Sequence, residues 1–136
     1  MIYLLGSLAN PTVLTVANTL REAGHDVFDQ WMASGEGADE RWYTYGKQRG
    51  WNFKETLNSA FVETAFQFDR RHIEMSDIGV MVMPCGRSAG LELGWMLGQG
   101  KRGYILYDGE PERPDLMAKL ATGICYSVGE LVEALA

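Results

Sequence analysis

With only two cysteines, Cys85 and Cys125, in 136 residues, the chain cannot build a disulfide framework, so a reducing compartment, the cytoplasm, is the expectation. Histidine is equally scarce. His25 and His72 alone form no cluster at metal-ligand spacing, so no metal is expected and both read as surface or packing residues. Positive charge is in deficit, with 12 Lys and Arg against 18 Asp and Glu and a net charge of −6. That balance argues against a nucleic-acid polymer as partner, yet it leaves room for a nucleotide, which needs only one or two local cations. No apolar run approaches the ~20 residues of a membrane span. The start, Met1 to Gly6, carries no basic n-region and is too short for a signal sequence; it reads as a strand. Repeats and low-complexity segments are also missing. What remains is a single domain over residues 1–136, 46% apolar, long enough for one packed core.

Ile2–Leu5 reads as the first strand, closed by Gly6 and Ser7. A helix is predicted from about Asn10 to Ala23, with Asn10 as N-cap, Pro11 as first helical residue and Gly24 as stop. Val13, Leu14, Val16, Ala17 and Leu20 give it an apolar stripe. His25–Asp29 reads as a short second strand. A loop to about Gly37 precedes a helix over 38–48, then a helical stretch over 53–75 with a break near Thr64. Ile78–Met83, apolar on successive residues, fits a central parallel strand covered on both faces. There follow a helix over 88–98, a strand over 104–107, a polar turn, a short helix over 115–120, a strand over 124–126 and a closing helix over 128–135. This alternation predicts an α/β fold: a five-stranded parallel sheet in flavodoxin-like order with helices on both faces. Ligands in such sheets bind beyond the strand C-termini at a switch point. Strands one and three would flank it, so Gly6-Ser7 and the segment 86–92 should face one crevice.

The richest segment is Cys85-Gly86-Arg87-Ser88-Ala89-Gly90-Leu91-Glu92-Leu93-Gly94. A strand ending in a Gly-rich turn that opens a helix offers backbone N–H groups to an anion or a hydroxyl-rich ligand. Glu92 lies about one turn into that helix, where the helix N-terminus favours its ionised form, and an ionised carboxylate above a strand end can act as a nucleophile. The bland alternative is a glutamate that caps or solvates a helix start. Cys85 has no histidine spaced to serve as its base, so a thiol nucleophile is disfavoured.

Three elements in this order, Tyr3-Leu4-Leu5-Gly6-Ser7, Asp69 ahead of Asp77, and Gly90-Leu91-Glu92-Leu93-Gly94, resemble the nucleoside 2-deoxyribosyltransferase family, which includes 2'-deoxynucleoside 5'-monophosphate N-hydrolases. The resemblance runs over nearly the whole chain. It implies that Glu92 attacks the anomeric carbon to form a glycosyl-enzyme, followed by transfer to another base or to water. It implies that Asp69 orients Glu92 or the sugar or relays a proton, and that Tyr3 hydrogen-bonds the glutamate. A solvated helix aspartate and a core aromatic are the alternatives for those two. Gly6 and Ser7 match the turn that faces the sugar or phosphate. Asp115 and Met117 match a stretch that enters a neighbouring subunit's site, which implies a homo-oligomer. No cofactor is implied. The chain departs from the family at Gly86, six residues before Glu92, where nucleoside transferases often carry an aspartate and monophosphate hydrolases a serine. Arg87 and Ser88 follow it, and an arginine and a serine at a helix N-terminus suit a phosphate, so the sequence leans to a 5'-monophosphate. An Arg87 that points to solvent is the alternative.

Trp31, Trp42, Tyr43 and Tyr45 read mostly as packing, with Trp31 kept as a possible neighbour of the base. Asp77 reads as structural. A non-catalytic nucleotide sensor on the same architecture competes with the enzyme. A phosphoribohydrolase of the cytokinin-activating type ranks last, because its Pro-Gly-Gly-x-Gly-Thr pattern is absent.

Overall fold

A computed structural model describes residues 1–136. Strands β1 (Ile2–Leu5), β2 (Val27–Phe28), β3 (Ile78–Val82), β4 (Arg102–Leu106) and β5 (Gly123–Cys125) form one parallel sheet in the order β2-β1-β3-β4-β5. That is the flavodoxin-like order the sequence predicts. Helices α1 (Thr12–Glu22), α2 (Ala38–Gln48), α3 (Phe53–Leu57), α4 (Ala60–Met75), α5 (Arg87–Gly98) and α6 (Val128–Leu135) surround it.

Strand alternation divides the core. Ile2 and Leu4 pack with Val13, Val16 and Leu20 of α1 and Leu131 and Leu135 of α6. Tyr3 and Leu5 point the other way, against Ala89, Leu93 and Met96 of α5 and Ile73 of α4. On that face Tyr3, Gly79 and Gly103 lie in one register row across β1, β3 and β4. The two glycines matter there. A Cβ at Gly79 would lie 2.8 Å from Met96 Sδ, and one at Gly103 would lie 2.6 Å from Leu93 Cδ1. The bare row lets α5 lie directly on the sheet, which fixes the height of Glu92 above Tyr3.

Local chemistry explains the boundaries. The N-cap of α1 is Pro11, one residue later than expected, and the buried Asn10 before it accepts from Thr12 N at 3.0 Å through its Oδ1. Its amide also donates to Met83 O at 3.4 Å and Pro84 O at 3.3 Å. One side chain thus ties the exit of β1 to the exit of β3. Gly24 ends α1 at φ +93°, a conformation glycine tolerates. The break expected near Thr64 falls instead at Asn58 and Ser59, between α3 and α4. Thr64 is no obstacle, because its hydroxyl donates back to Ala60 O at 2.9 Å within the helix. Asn52 closes a capping box with Glu55 to start α3. The second strand shrinks to two residues, and the short helix expected over 115–120 is a 3-10 turn over Leu116–Leu120, capped by Asp115, which accepts from Met117 N at 2.9 Å. Asp77 is structural, as expected: it accepts from the N-terminal ammonium at 2.9 Å.

Candidate active site

The exits of β1 and β3 open into a crevice of about 590 Å³, a size that suits a small organic ligand. Its floor holds Tyr3 and Glu92, and α5 contributes Gly86, Ser88 and Ala89 from its start. Gly6 and Ser7 form the lip after β1, and Asp69 reaches in from α4. Seven of the residues picked out in the sequence therefore meet in one place: Tyr3, Gly6, Ser7, Asp69, Gly86, Ser88 and Glu92.

The α4 helix explains how Asp69 gets there. Phe61, Ala65 and Asp69 recur every fourth residue and share one helix face, with Val62 and Phe66 beside them. All five line the crevice. Only Ile73, near the C-terminal end of α4, is buried. The helix is pinned there by Lys101, whose ammonium donates to Ile73 O at 2.8 Å and Glu74 O at 3.1 Å. Rings complete the support. Tyr3 stacks on Phe28 at 5.2 Å, and Phe28 stacks on His72 at 4.1 Å. His72 and Phe68, flanking Asp69, are 4.6 Å apart. The aromatic chain sets the distance between the β1 tyrosine and the α4 aspartate.

Electrostatics single out the carboxylates. Glu92 is pushed up from 4.5 to about 7, first by burial and then by the charge of Asp69, while a hydrogen bond from the Tyr3 hydroxyl opposes the rise. This corrects the expectation that the helix N-terminus keeps Glu92 ionised. Glu92 is the sixth residue of α5, and a helix dipole acts mainly within the first turn. Asp69 is also raised, by burial first and further by Asp39, against a lowering by His72. The Tyr3 hydroxyl is raised by burial and by both acids, so it stays protonated and donates to Glu92. No Lys or Arg pairs with either acid.

Three expected site residues lie elsewhere. Arg87 is exposed and outside the crevice lining. At the first helical position its side chain leaves over solvent, and Gly86 and Ser88 face inward instead. Asp115 and Met117 line a second cavity, of about 730 Å³, bounded by Met81, Leu93, Ile105 and Tyr107 on the far side of α5. Arg87 therefore brings no cation into the crevice, where the charged lining residues are Glu36, Asp39, Glu40, Asp69 and Glu92, all acidic. Of the aromatics, Trp31 does line the crevice and its Nε1 donates to Leu4 O at 2.7 Å. Trp42 joins it, while Tyr43 and Tyr45 pack with Phe53, Trp51 and Phe61.

Asp39, Glu40, Phe61 and Phe66 are absent from the sequence-based site. The two acids follow Gly37 in the first turn of α2 and look like ordinary helix-start charges. The four-residue spacing from Phe61 to Asp69 was the available signal for the α4 wall. No group of side chains able to hold a metal ion is present, and no helix is long and apolar enough to cross a membrane.

No protein-family description and no curated protein sequence matches the chain. Among solved structures, it is similar to a 2-deoxyribosyltransferase from the psychrotolerant bacterium Bacillus psychrosaccharolyticus, described as a biocatalyst for nucleoside synthesis. The TM-score is 0.65 at 20% identity, over 96% of this chain and 89% of the other. At that identity the likeness establishes a shared fold.

Proposed function

We propose that this protein cleaves the N-glycosidic bond of a nucleoside through a glycosyl-enzyme on Glu92, as a member of the 2-deoxyribosyltransferase family. The observation that carries the reading is the meeting of Glu92, Tyr3 and Asp69 in one crevice, two acids raised and without a cation. The similarity of fold to a 2-deoxyribosyltransferase supports it.

The chemistry follows from the protonation states. Near neutral pH about half of Glu92 is ionised, given a pKa of about 7. The ionised form attacks C1'. A C1'–O bond forms as the C1'–N bond breaks, and the electron pair of the latter leaves with the base. Asp69, close enough for its charge to raise Glu92, orients the sugar and relays the proton that a neutral base takes up on leaving. In the second step water or another base attacks C1' and releases the Glu92 carboxylate. Tyr3 holds the carboxylate in one orientation and spreads its charge. The α5 start, with Gly86 and Ser88, and the β1 lip, with Gly6 and Ser7, supply N–H and hydroxyl partners for the sugar. The acidic lining favours a free nucleoside over its 5'-monophosphate.

Leu116, Met117 and Leu120 are exposed along the 3-10 turn beside β5. That apolar surface supports a homo-oligomer in which Asp115 and Met117 approach a neighbouring subunit's crevice. The two free cysteines fit a cytoplasmic location.

The test is product analysis with deoxycytidine and deoxycytidine 5'-monophosphate, each with and without adenine. Free cytosine reports hydrolysis, and deoxyadenosine reports transfer. Either must vanish in Glu92→Ala. Tight binding without any base release would establish the sensor reading instead.

A further inference from the structure

The lining of the crevice is chemically one-sided. Glu36, Asp39 and Glu40 ring its outer part, Asp69 and Glu92 its depth, and no Lys, Arg or His is among the lining residues. The nearest cation along the chain, Arg41, is engaged on backbone carbonyls. It donates to Ser34 O at 2.7 Å and Glu36 O at 3.0 Å and lines the adjoining cavity. His72 stands behind Asp69 with its Nδ1 2.7 Å from Phe68 O. Between the acids lie the rings of Trp31, Trp42, Phe61 and Phe66. Aromatic faces combined with carboxylates attract cations and repel anions.

We infer that the crevice selects nucleosides whose base carries a formal positive charge, such as an N-alkylpurinium or a pyridinium, with Asp39 and Trp42 as the selecting pair. This rests on the glycosidic-cleavage reading of the same site. Trp42 Nε1 donates to Asp39 Oδ1 at 2.9 Å, which holds a carboxylate at the edge of the indole ring, at the start of α2. That arrangement pairs a charge partner with a π-surface for one flat cation. The field of Asp39 also reaches Asp69, so a cation seated there offsets the mutual repulsion of the acids.

The chemistry is simpler for such a substrate. The C1'–N pair moves onto the ring nitrogen and discharges the cation, so the base leaves neutral and needs no proton. The C1'–O bond to Glu92 forms as that bond breaks. Water then attacks C1', the ester oxygen returns to Glu92 as carboxylate, and the water's proton passes to Asp69 and on to solvent. Positive charge stays in the acidic crevice until the sugar is trapped, which is where the lining stabilises it.

The test uses three ligands of nearly one shape: 2'-deoxyribosyl nicotinamide, its neutral 1,4-dihydro form, and the 5'-phosphate of the cation. Binding to full-length Glu92→Gln is measured by calorimetry, alongside base release from 2'-deoxyadenosine by the unaltered enzyme. The cation should bind at least about tenfold more tightly than the dihydro form, and the 5'-phosphate more weakly than the cation. Adding Asp39→Asn should collapse the first ratio to below about threefold, with Glu40→Gln as a second charge-removing variant should Asp39→Asn misfold. Equal binding of cation and dihydro form, with 2'-deoxyadenosine still cleaved, overturns the inference and leaves the enzyme reading standing. So does tighter binding of the 5'-phosphate, or a ratio that neither charge-removing variant moves. Binding of none of the three together with no base release overturns both.

Discussion

Tyr3→Phe isolates one interaction. The ring remains stacked on Phe28 at 5.2 Å, and what goes is the hydroxyl that donates to Glu92. That bond favours the charged carboxylate, so its loss raises the glutamate further. A hydrogen bond to a charged group contributes about 1.5–3 kcal/mol, and 1.36 kcal/mol corresponds to one pKa unit. As the smallest of the influences on Glu92 this bond takes the low end of that range, so its removal raises the glutamate by about one unit from about 7. Attack requires the ionised form, so activity rises with pH through this midpoint. At pH 7 the ionised fraction falls from about one half to about one tenth, a loss of roughly fivefold. By pH 9.5 most of that loss should be recovered. The assay is the pH profile of kcat/KM for base release, measured on both proteins at constant ionic strength. A variant that loses activity by the same factor at every pH, with its midpoint where the unaltered enzyme has it, would refute the assignment and make Tyr3 a packing residue.

Glu92→Gln should stabilise the fold while abolishing turnover. Because the folded glutamate titrates near 7 against 4.5 when free, the native protein has its full stability from this group below pH 4.5 and loses it as pH rises through 7. The variant should gain about 2–3 kcal/mol over the unaltered protein at pH 8 and almost nothing at pH 4.5, read by denaturant melts. Gly46→Ala would place a Cβ 2.7 Å from Thr56 Cγ2 in the buried contact of α2 with α3, costing about 1–3 kcal/mol in the same melts and shifting the wall that carries Trp42. Arg87→Ala should leave nucleoside turnover within about twofold, since the side chain lies outside the crevice; a tenfold rise in KM for a nucleotide would return the phosphate to the site.

Sheet order and strand number were legible in the sequence because they rest on local signals, whereas the convergence of Tyr3, Asp69 and Glu92 came from the resemblance to the deoxyribosyltransferase family. Ile78–Val82 is apolar on both faces, Gly24 stops a helix, and the Gly-rich turn after β3 has few other uses. The charge state of Glu92 was not legible. It depends on burial and on Asp69, 23 residues away in sequence but close in space, and helix position alone pointed the other way. Arg87 lies outside the crevice for a related reason: one step along a helix turns a side chain by about 100°, enough to move it from the crevice to solvent. Asp39 and Glu40 were unreadable because a helix start attracts acids for its own sake.

The treatment of buried acids in this chain argues for function more strongly than any one residue. Asp29 is buried, and the fold pairs it with Arg21 at 2.7 Å, a guanidinium that also donates to Val27 O at 3.1 Å. That is the ordinary way to keep a carboxylate out of water. Asp69 and Glu92 receive no such partner; they face each other across a cavity, held by stacked rings and by a helix lying on two bare glycines. A scaffold that can pair one acid and leaves two raised ones unpaired at a strand exit is retaining an unfavourable charge arrangement that its own packing could have relieved. Such arrangements persist where the charge is used on a ligand. On the proposed glycosidic cleavage, a positive centre passing between them, at the sugar carbon or on the departing ring, would turn their mutual repulsion into binding.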